Sequence, residues 1–206
     1  ARAILNLEPH VTGKIKVDGV DIVGKSVKES LHSGIAFIPE SRELDGLIGS
    51  FSIAENLILD TYDSPPNAKK LMMNLNVINS DAIKRISEFD IRSQGANELV
   101  SSLSGGNKQK VVLARELSRP VKVVVASQPT RGLDVGSIEF VHEKIVQERD
   151  AGRAVLLFSS ELDEVFALAD RIAVMYRGTI IDIVPASISR SDLGLLMAGI
   201  KPKVSS

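Results

Sequence analysis

A glycine-rich segment at residues 103–110 has the residue types of an anion-binding turn. Its sequence is Leu-Ser-Gly-Gly-Asn-Lys-Gln-Lys, and a predicted helix follows directly and runs to about Ser118. Glycines lack a Cβ and let the backbone approach a phosphate, the hydroxyl of Ser104 can donate a hydrogen bond, and the amino terminus of the helix adds a positive field. Taken alone, the segment also fits a plain loop that ends in a helix-capping serine.

A second candidate phosphate site lies at residues 19–26, which match the P-loop expression G-x-x-x-x-G-K-S letter for letter. A phosphate cradle needs successive backbone amides turned inward, and the β-branched residues between the two glycines disfavour that geometry. Asp21 would also put a negative charge beside the phosphates. The preceding strand alternates apolar and polar residues, whereas a strand that feeds a P-loop is buried on both faces. We expect no phosphate here; a working P-loop that uses Lys25 is the alternative.

Three groups of predicted elements must position these segments. After Leu103, short apolar strands alternate with helices, which predicts a mostly parallel sheet wrapped by helices. Hairpins at residues 13–19 and 171–184 predict an antiparallel portion. Between residues 50 and 98 the apolar residues recur at helical spacing, Leu71, Met72 and Leu75 among them, which predicts a small helical lobe interrupted at a proline pair. A last helix near residue 197 precedes an expected frayed end at residues 201–206.

Composition excludes several classes of protein. A chain of 206 residues with 44% apolar and 25% charged residues is long enough for one sizeable folded domain. Lys and Arg number 25 against 26 Asp and Glu, so a nucleic-acid partner has no support. There is no cysteine, and His10, His32 and His142 are too far apart in the sequence to suggest a metal site. No apolar run approaches the length of a membrane span.

Further motifs follow one another in a specific order along the chain. They are Pro-Glu-x-Arg at residues 39–42 near Gly-Leu at 46–47, the turn at 103–110, an apolar strand at 121–126 followed by Ser-Gln-Pro-Thr-Arg-Gly-Leu-Asp at 127–134, and Phe-Ser-Ser-Glu-Leu-Asp-Glu at 158–164. Together they resemble the Q-loop, signature, Walker B, D-loop and switch motifs of ATP-binding-cassette (ABC) ATPases. The set is similar to the second cassette of carbohydrate- and nucleoside-importer ATPases, in which two cassettes usually lie in one polypeptide.

This resemblance implies an α/β fold, a P-loop NTPase-like ABC cassette. It has a mostly parallel sheet wrapped by helices, an antiparallel β portion and a small helical lobe. Residues 1–206 are expected to form a single nucleotide-binding domain, with a helical subdomain at about 50–100. The strand before residue 19 resembles the one that follows the true P-loop helix. The chain is therefore expected to be truncated at its amino terminus, with the P-loop outside it.

The sequence departs from the family pattern where hydrolysis takes place. Ser127 replaces the Walker B aspartate that orients the Mg²⁺ water shell, and Gln128 replaces the glutamate that accepts a proton from the attacking water. Ser160 stands at the switch histidine, and Glu40 stands at the Q-loop glutamine. The resemblance therefore marks Gln128 and Ser160 as degenerate catalytic positions, and Ser127 and Glu40 as degenerate metal positions.

The second set of nucleotide-binding residues is intact. Ser104, Gly105, Gly106 and Asp134 match the signature and D-loop positions that complete a partner cassette's ATP site. The resemblance implies ATP and Mg²⁺ shared with a second ABC cassette. It also implies transmembrane permease subunits as partners, an extracytoplasmic solute-binding protein as an indirect partner, and a peripheral position on the cytoplasmic face of the cell membrane. The whole motor would be an ABC-type ATPase, with the isolated chain inactive.

Other residues and readings stay open at this point. Phe51 and Ile53 are candidates for contact with the permease, Arg42 is equally a surface charge or a ligand, and the acidic residues at 161–164 suit a helix start. A rival function is a non-catalytic docking or regulatory module with the shape of a cassette. Another is a self-sufficient ATPase that uses residues 19–26 as its P-loop.

Overall fold

The computed structural model describes residues 1–70 and 72–200. Its strands, in chain order, are β1 (Lys16–Val17), β2 (Val20–Asp21), β3 (Ile35–Ile38), β4 (Ala68–Lys69), β5 (Met72–Met73), β6 (Val123–Ser127), β7 (Ala154–Phe158), β8 (Arg171–Tyr176) and β9 (Thr179–Pro185). Its α-helices are α1 (Val27–His32), α2 (Ile53–Leu57), α3 (Leu75–Glu88), α4 (Gly105–Leu117), α5 (Val135–Asp150), α6 (Leu162–Leu168) and α7 (Arg190–Met197). Short irregular helical turns cover Arg2–Leu5, Arg42–Gly46 and Val100–Ser102.

A three-stranded parallel sheet, in the order β3-β6-β7, lies in the first of two compact units, which ends at Phe158. Val123 is aligned with Ile35 on one side and with Ala154 on the other. The middle of β6 is fully buried, as expected for a parallel strand covered on both faces. The predicted parallel sheet is confirmed, and it brings the carboxyl ends of its three strands to one edge.

The predicted amino-terminal hairpin is confirmed by the antiparallel pair β1–β2. Its turn residues, Asp18 and Gly19, both have positive φ, which suits an Asp-Gly turn between twisted strands. The hairpin packs on the sheet through a buried cluster whose members are Leu5, Val17, Ile22, Ile35 and Val125. Residues 19–21 therefore belong to a strand and its turn.

The helical lobe contains α2 and α3 joined by turns and by the short antiparallel pair β4–β5. The predicted helical face at residues 71–75 is wrong, because residues 72 and 73 are in β5 and the side chain of Met72 is 78% exposed. The side chain of Asn74 caps α3, so the helix starts only at Leu75 and buries Ile78 and Ala82 instead. Leu71 lies outside the described residues.

The second compact unit begins at Ser159. The antiparallel pair β8–β9 confirms the predicted closing hairpin. One face of this hairpin and helix α7 share a buried cluster formed by Ile172, Val174, Leu193 and Leu196. The predicted last helix is α7, and the predicted frayed end at 201–206 lies outside the described residues. No helix in the described part of the chain has both the length and the apolar character needed to cross a membrane.

Candidate functional site

The glycine-rich turn forms the amino terminus of α4, with Ser104 as its capping residue. The Ser104 Oγ accepts hydrogen bonds from the backbone amide of Asn107 at 3.4 Å and from the Asn107 Nδ2 at 3.0 Å. A serine at this position satisfies one of the amides that a helix start leaves unpaired. Gly105 and Gly106 follow as the first helical residues, so the positive end of the helix lies at the predicted anion-binding turn.

Gly106 lies directly against the start of α5. A Cβ on Gly106 would lie 2.1 Å from the Ser137 Oγ and 3.3 Å from the Asp134 Oδ2, so a close approach of two helices depends on this glycine. Asp134 caps α5 by accepting from the Ser137 amide at 3.0 Å and from the Ser137 hydroxyl at 2.7 Å. The structure thus brings together two predicted nucleotide-binding residues that lie far apart in the sequence, Gly106 and Asp134.

The bonds from Ser137 favour the ionised form of Asp134. The Ser137 hydroxyl, followed by its amide, holds the pKa of Asp134 below its ordinary value of 3.8. Ser137 is not among the residues predicted from the sequence. A signal was available, because Asp-Val-Gly-Ser places a serine three residues after a capping aspartate, where its amide can reach the carboxylate.

Arg42 contacts the same turn. A Cβ on Gly105 would lie 2.9 Å from the Arg42 Nη2, and the Arg42 Nη1 donates to the Arg131 carbonyl at 3.0 Å. Of the two readings of Arg42, a surface charge or a ligand, the structure supports a residue packed beside the glycine-rich turn. Its role toward a nucleotide stays a prediction.

Gln109 is a residue that sequence reasoning missed. Its side chain is 2% exposed, and its Nε2 donates to the Pro129 carbonyl at 2.9 Å. This bond joins the signature helix α4 to the loop that follows β6. The signal was a single uncharged polar residue beside the apolar run of α4, since a buried amide side chain normally has a specific partner.

The predicted metal positions lie around one cavity. Ser127, at the end of β6, and Glu40 both line a cavity of about 420 Å³ that also includes Phe37 and Pro39. The carboxylate of Glu40 forms an ion pair with the guanidinium of Arg131. Mg²⁺ prefers carboxylate ligands, whereas here one donor is a neutral hydroxyl and the other is already neutralised by a cation. By the chemistry of these donors, Ser127 and Glu40 do not fit the ion.

Gln128 follows β6 in a left-handed conformation, with φ of 48°. The backbone amide of Gln128 donates to the Phe158 carbonyl at 2.7 Å, and this bond holds Gln128 at the carboxyl edge of the parallel sheet. A glutamine amide has no useful basicity at neutral pH, so this position cannot take a proton from water. Ser160 lies in the second compact unit and is exposed. The catalytic roles of both positions stay predictions.

In the segment 19–26, the backbone amides of residues 22–26 donate hydrogen bonds to other groups of the protein. The acceptors for residues 22–26 are, in order, the Ile15 carbonyl (2.8 Å), the Asp21 Oδ1 (3.1 Å), the Asn6 Oδ1 (3.0 Å), the Ile22 carbonyl (3.2 Å) and the Glu29 Oε2 (2.9 Å). The hydroxyl of Ser26 also donates to Glu29 at 2.6 Å and caps α1. A phosphate cradle needs such amides unpaired, and the amides of residues 22–26 are paired.

The remaining candidates lie outside these clusters. The prediction that Ile53 contacts the permease is wrong, because Ile53 is fully buried at the start of α2 and offers no surface to a partner. Phe51 is 37% exposed, and its contact with the permease stays a prediction. The acidic residues at 161–164 do form the start of α6. Asp163 pairs there with Arg190 of α7.

The chain is similar to known ATP-binding proteins. The family model described as ABC transporter matches residues 1–131. The nucleoside import ATP-binding protein NupA of Lactococcus lactis subsp. cremoris is 43% identical over 199 residues, which is 96% of this chain and 39% of that protein. The guanosine import ATP-binding protein NupO of Bacillus subtilis is 41% identical over 198 residues, again 96% and 39% of the two chains. The chain thus spans about 39% of the length of these relatives.

Solved structures give the same fold. A dimeric ATP-binding cassette in a post-hydrolysis state with ADP and Pi superposes with a TM-score of 0.73 at 20% identity, over 91% of this chain and 79% of that one. A nucleotide-free cassette from an ABC transporter gives a TM-score of 0.71 at 22% identity, over 89% and 74% of the two chains. The predicted α/β cassette fold is confirmed. The chain belongs to the ABC transporter family, as an ATP-binding domain homologous to the ATP-binding proteins of nucleoside and sugar importers.

Proposed function

We propose that this chain is one ATP-binding cassette of a membrane importer for nucleosides or sugars, and that it corresponds to the second, degenerate cassette of such a motor. Identities of 43% and 41% to nucleoside and guanosine import proteins support the nucleoside branch. An identity of 35% to a glucose import ATP-binding protein of Haloferax volcanii supports sugars as a second class of transported solute. The cassette would bind transmembrane permease subunits at the cytoplasmic face, while a solute-binding protein outside the membrane acts indirectly.

The proposed contribution to hydrolysis is made to a neighbour's nucleotide. Ser104, Gly105 and Gly106 form the start of a helix of 13 residues, and Asp134 lies beside Gly106. A hydroxyl, two helix-terminal amides and the helix field lie together at one helix start, and this combination suits the γ-phosphate of an ATP held by a second cassette. The placement of Ser104, Gly105 and Gly106 at one helix start, with Asp134 beside them, is the observation that carries the proposal.

The site on the chain's own sheet would not hydrolyse ATP. Phosphoryl transfer to water needs a group that orients and deprotonates the water and a metal that neutralises the developing charge. Gln128 supplies no base, and Ser127 with the paired Glu40 supplies poor metal ligands. ATP and Mg²⁺ would therefore be productively held only with the partner cassette, and hydrolysis would take place at one of the two sites.

Residues 19–26 are not proposed as the phosphate-binding loop. The backbone amides of residues 22–26 donate to carbonyls and side chains of the hairpin, to Asn6 and to Glu29. Opening the loop for phosphate would break these bonds and the cap of α1. This argues against the self-sufficient ATPase.

The experiment compares Ser104→Arg with Ser101→Arg in the importer complex that contains this chain, its partner cassette and the permease. Arginine at position 104 would block the approach of the partner's phosphate. ATPase activity is expected to fall about a hundredfold or more, in line with loss of a transition-state donor. Ser101 is exposed on the short turn that precedes the signature, and Ser101→Arg is expected to stay within about twofold. Full activity of Ser104→Arg would contradict the proposal and favour the docking module.

A further inference from the structure

The side chain of Asn107 contacts the Ser104 hydroxyl at the amino terminus of α4. We propose that Asn107 is a positioning residue, which turns the hydroxyl proton of Ser104 outward so that it can donate to the phosphate of a nucleotide bound by the partner cassette. The inference rests on the proposed function of the signature turn. It goes further by assigning the direction of one proton and the residue that sets it.

The orientation of the Asn107 amide follows from a backbone group. The Asn107 Oδ1 accepts from the Arg92 amide at 2.9 Å. A backbone N–H can only donate, so the atom that faces Arg92 must be the oxygen of the side chain. The nitrogen must then face the Ser104 Oγ, which lies 3.0 Å away. The Asn107 amide is thereby held as a donor toward Ser104.

The Ser104 hydroxyl has one proton and two lone pairs. The backbone amide and the Nδ2 of Asn107 both donate to its oxygen, at 3.4 Å and 3.0 Å, so both lone pairs are used on the protein side. Within the described ranges, 1–70 and 72–200, the Ser104 hydroxyl donates to no group, and the residue is exposed. Its proton therefore points away from the helix, toward the side from which a partner's phosphate would approach.

This arrangement matters because a serine hydroxyl otherwise rotates freely. A donor that already points to the developing charge needs no reorganisation during reaction, which makes it more effective than one that must first turn. A capping serine without Asn107 could instead point its proton at a carbonyl or carboxylate nearby. Arg92 belongs to the segment that follows α3, so the helical lobe itself fixes the orientation of the signature hydroxyl.

Asn107→Asp separates positioning from stability. A carboxylate keeps the acceptor for the Arg92 amide, and a negative charge in the first turn of a helix is stabilising. The same carboxylate faces Ser104 with an acceptor in place of a donor, so the serine proton turns inward. The variant is expected to retain or raise its melting temperature while it loses activity. A purely structural role would instead make activity follow stability.

The experiment measures kcat and KM for ATP, and the melting temperature, in the importer complex that contains this chain. Asn107→Asp is expected to lower kcat about tenfold or more, as loss of a transition-state donor does. Asn74→Asp is the matched control, since Asn74 caps α3 away from the signature turn, and it is expected to leave kcat unchanged. Activity of Asn107→Asp equal to that of the parent, or a fall in melting temperature that accounts for its loss, overturns the inference.

A double-mutant cycle with Ser104→Ala tests the route of the effect. If Asn107 acts through the hydroxyl, Asn107→Asp lowers kcat in the parent but has no further effect once the hydroxyl is removed. A further loss in the Ser104→Ala background would mean that the new charge acts directly on the nucleotide, and it overturns the inference. An inactive Ser104→Ala with an unaffected Asn107→Asp overturns the inference alone. A fully active Ser104→Ala overturns the proposed function with it.

Discussion

Serine occupies two of the positions on which the proposed function depends, and its surroundings give it different chemistry at each. Ser104 starts a long helix, where two donors from Asn107 leave its proton for an incoming acceptor. Ser127 ends a buried strand beside Glu40, whose charge is already paired with Arg131. One hydroxyl can therefore serve an anion, whereas the other is a poor replacement for a metal-binding carboxylate.

Asp134 gives a pH-dependent prediction at the same scale. Because Ser137 lowers the pKa of folded Asp134 from 3.8, this group stabilises the folded state above that value and loses its contribution as the pH falls through the folded pKa. Ser137→Ala removes the hydroxyl that is the largest cause of the shift. We expect the Asp134 pKa to rise toward 3.8 in this variant, as measured by NMR titration.

Unfolding experiments provide a second readout for this pair. The difference in free energy of unfolding between the parent and Ser137→Ala is expected to be constant above the ordinary pKa of Asp134 and to shrink at lower pH. Ser159→Ala is a suitable control, because it removes a serine hydroxyl in the second compact unit. A difference that grows toward acid pH would refute this account of Asp134.

At the scale of elements, the contact between α4 and α5 depends on the absence of a side chain at Gly106. Gly106→Ala would force its Cβ to within 2.1 Å of the Ser137 Oγ and 3.0 Å of the Ser137 Cβ, so the Ser137 hydroxyl must leave Asp134 or one helix must shift. We expect a loss of about 1–3 kcal/mol in stability, as in other overpacked sites, and a fall in ATPase activity of the complex because Asp134 moves with α5. Denaturant unfolding and ATPase assays measure the two effects.

Gly136→Ala is the matched control for that change. A Cβ at Gly136 would find its nearest neighbour, the Asp134 Oδ1, at an ordinary 3.6 Å, and the residue is helical. Alanine there is expected to be neutral or slightly stabilising, because glycine is a poor helix former. Equal losses from both substitutions would mean that the close approach at Gly106 is not the cause.

Gln109 adds a hydrogen bond between helix α4 and a neighbouring loop. Its buried amide joins α4 to the loop after β6, while Ser137 holds Asp134 against Gly106. The Gln109 bond ties the helix of the signature turn to the loop that leads to Asp134, and the close approach at Gly106 places Asp134 beside that turn. These contacts keep near each other the two groups that the proposed function assigns to the partner's nucleotide.

At the scale of the whole molecule, we expect the chain to hydrolyse no ATP alone and to contribute to ATP hydrolysis only together with a partner cassette. The isolated chain should show no ATP turnover, because Gln128 offers no base and the amides of residues 22–26 are occupied. Lys25→Ala should leave the weak nucleotide affinity of the chain within about twofold, as measured by calorimetry, since loss of a half-buried lysine has only a small effect on affinity when the lysine lies away from the binding site.

Lys14→Ala serves as the control for general loss of positive charge in that hairpin. A tenfold loss of affinity confined to Lys25→Ala would restore residues 19–26 as a working P-loop. Robust turnover by the isolated chain would end the degenerate-site proposal. Activity that appears only when a complete cassette is added would support it.

The sequence by itself determined the elements whose signals are local. Alternating strands and helices, the closing hairpin and the capping serine at position 104 all follow from patterns within a few residues, and the structure has each of them. The helical pattern at residues 71–75 gave a wrong prediction because it, too, is a signal from only a few residues. Short apolar periodicity does not distinguish a helix from a strand and a cap, and Asn74 decided where α3 begins.

Only the tertiary structure decided which distant residues meet. Glu40 and Arg131, 91 positions apart, form an ion pair because the parallel order β3-β6-β7 brings the carboxyl ends of β3 and β6 to one edge. Gly106 meets Ser137 because α4 and α5 cross at their first turns. Such contacts depend on how whole helices and strands pack. The free energy of this packing is distributed over many residues, so no short stretch of sequence predicts the contacts.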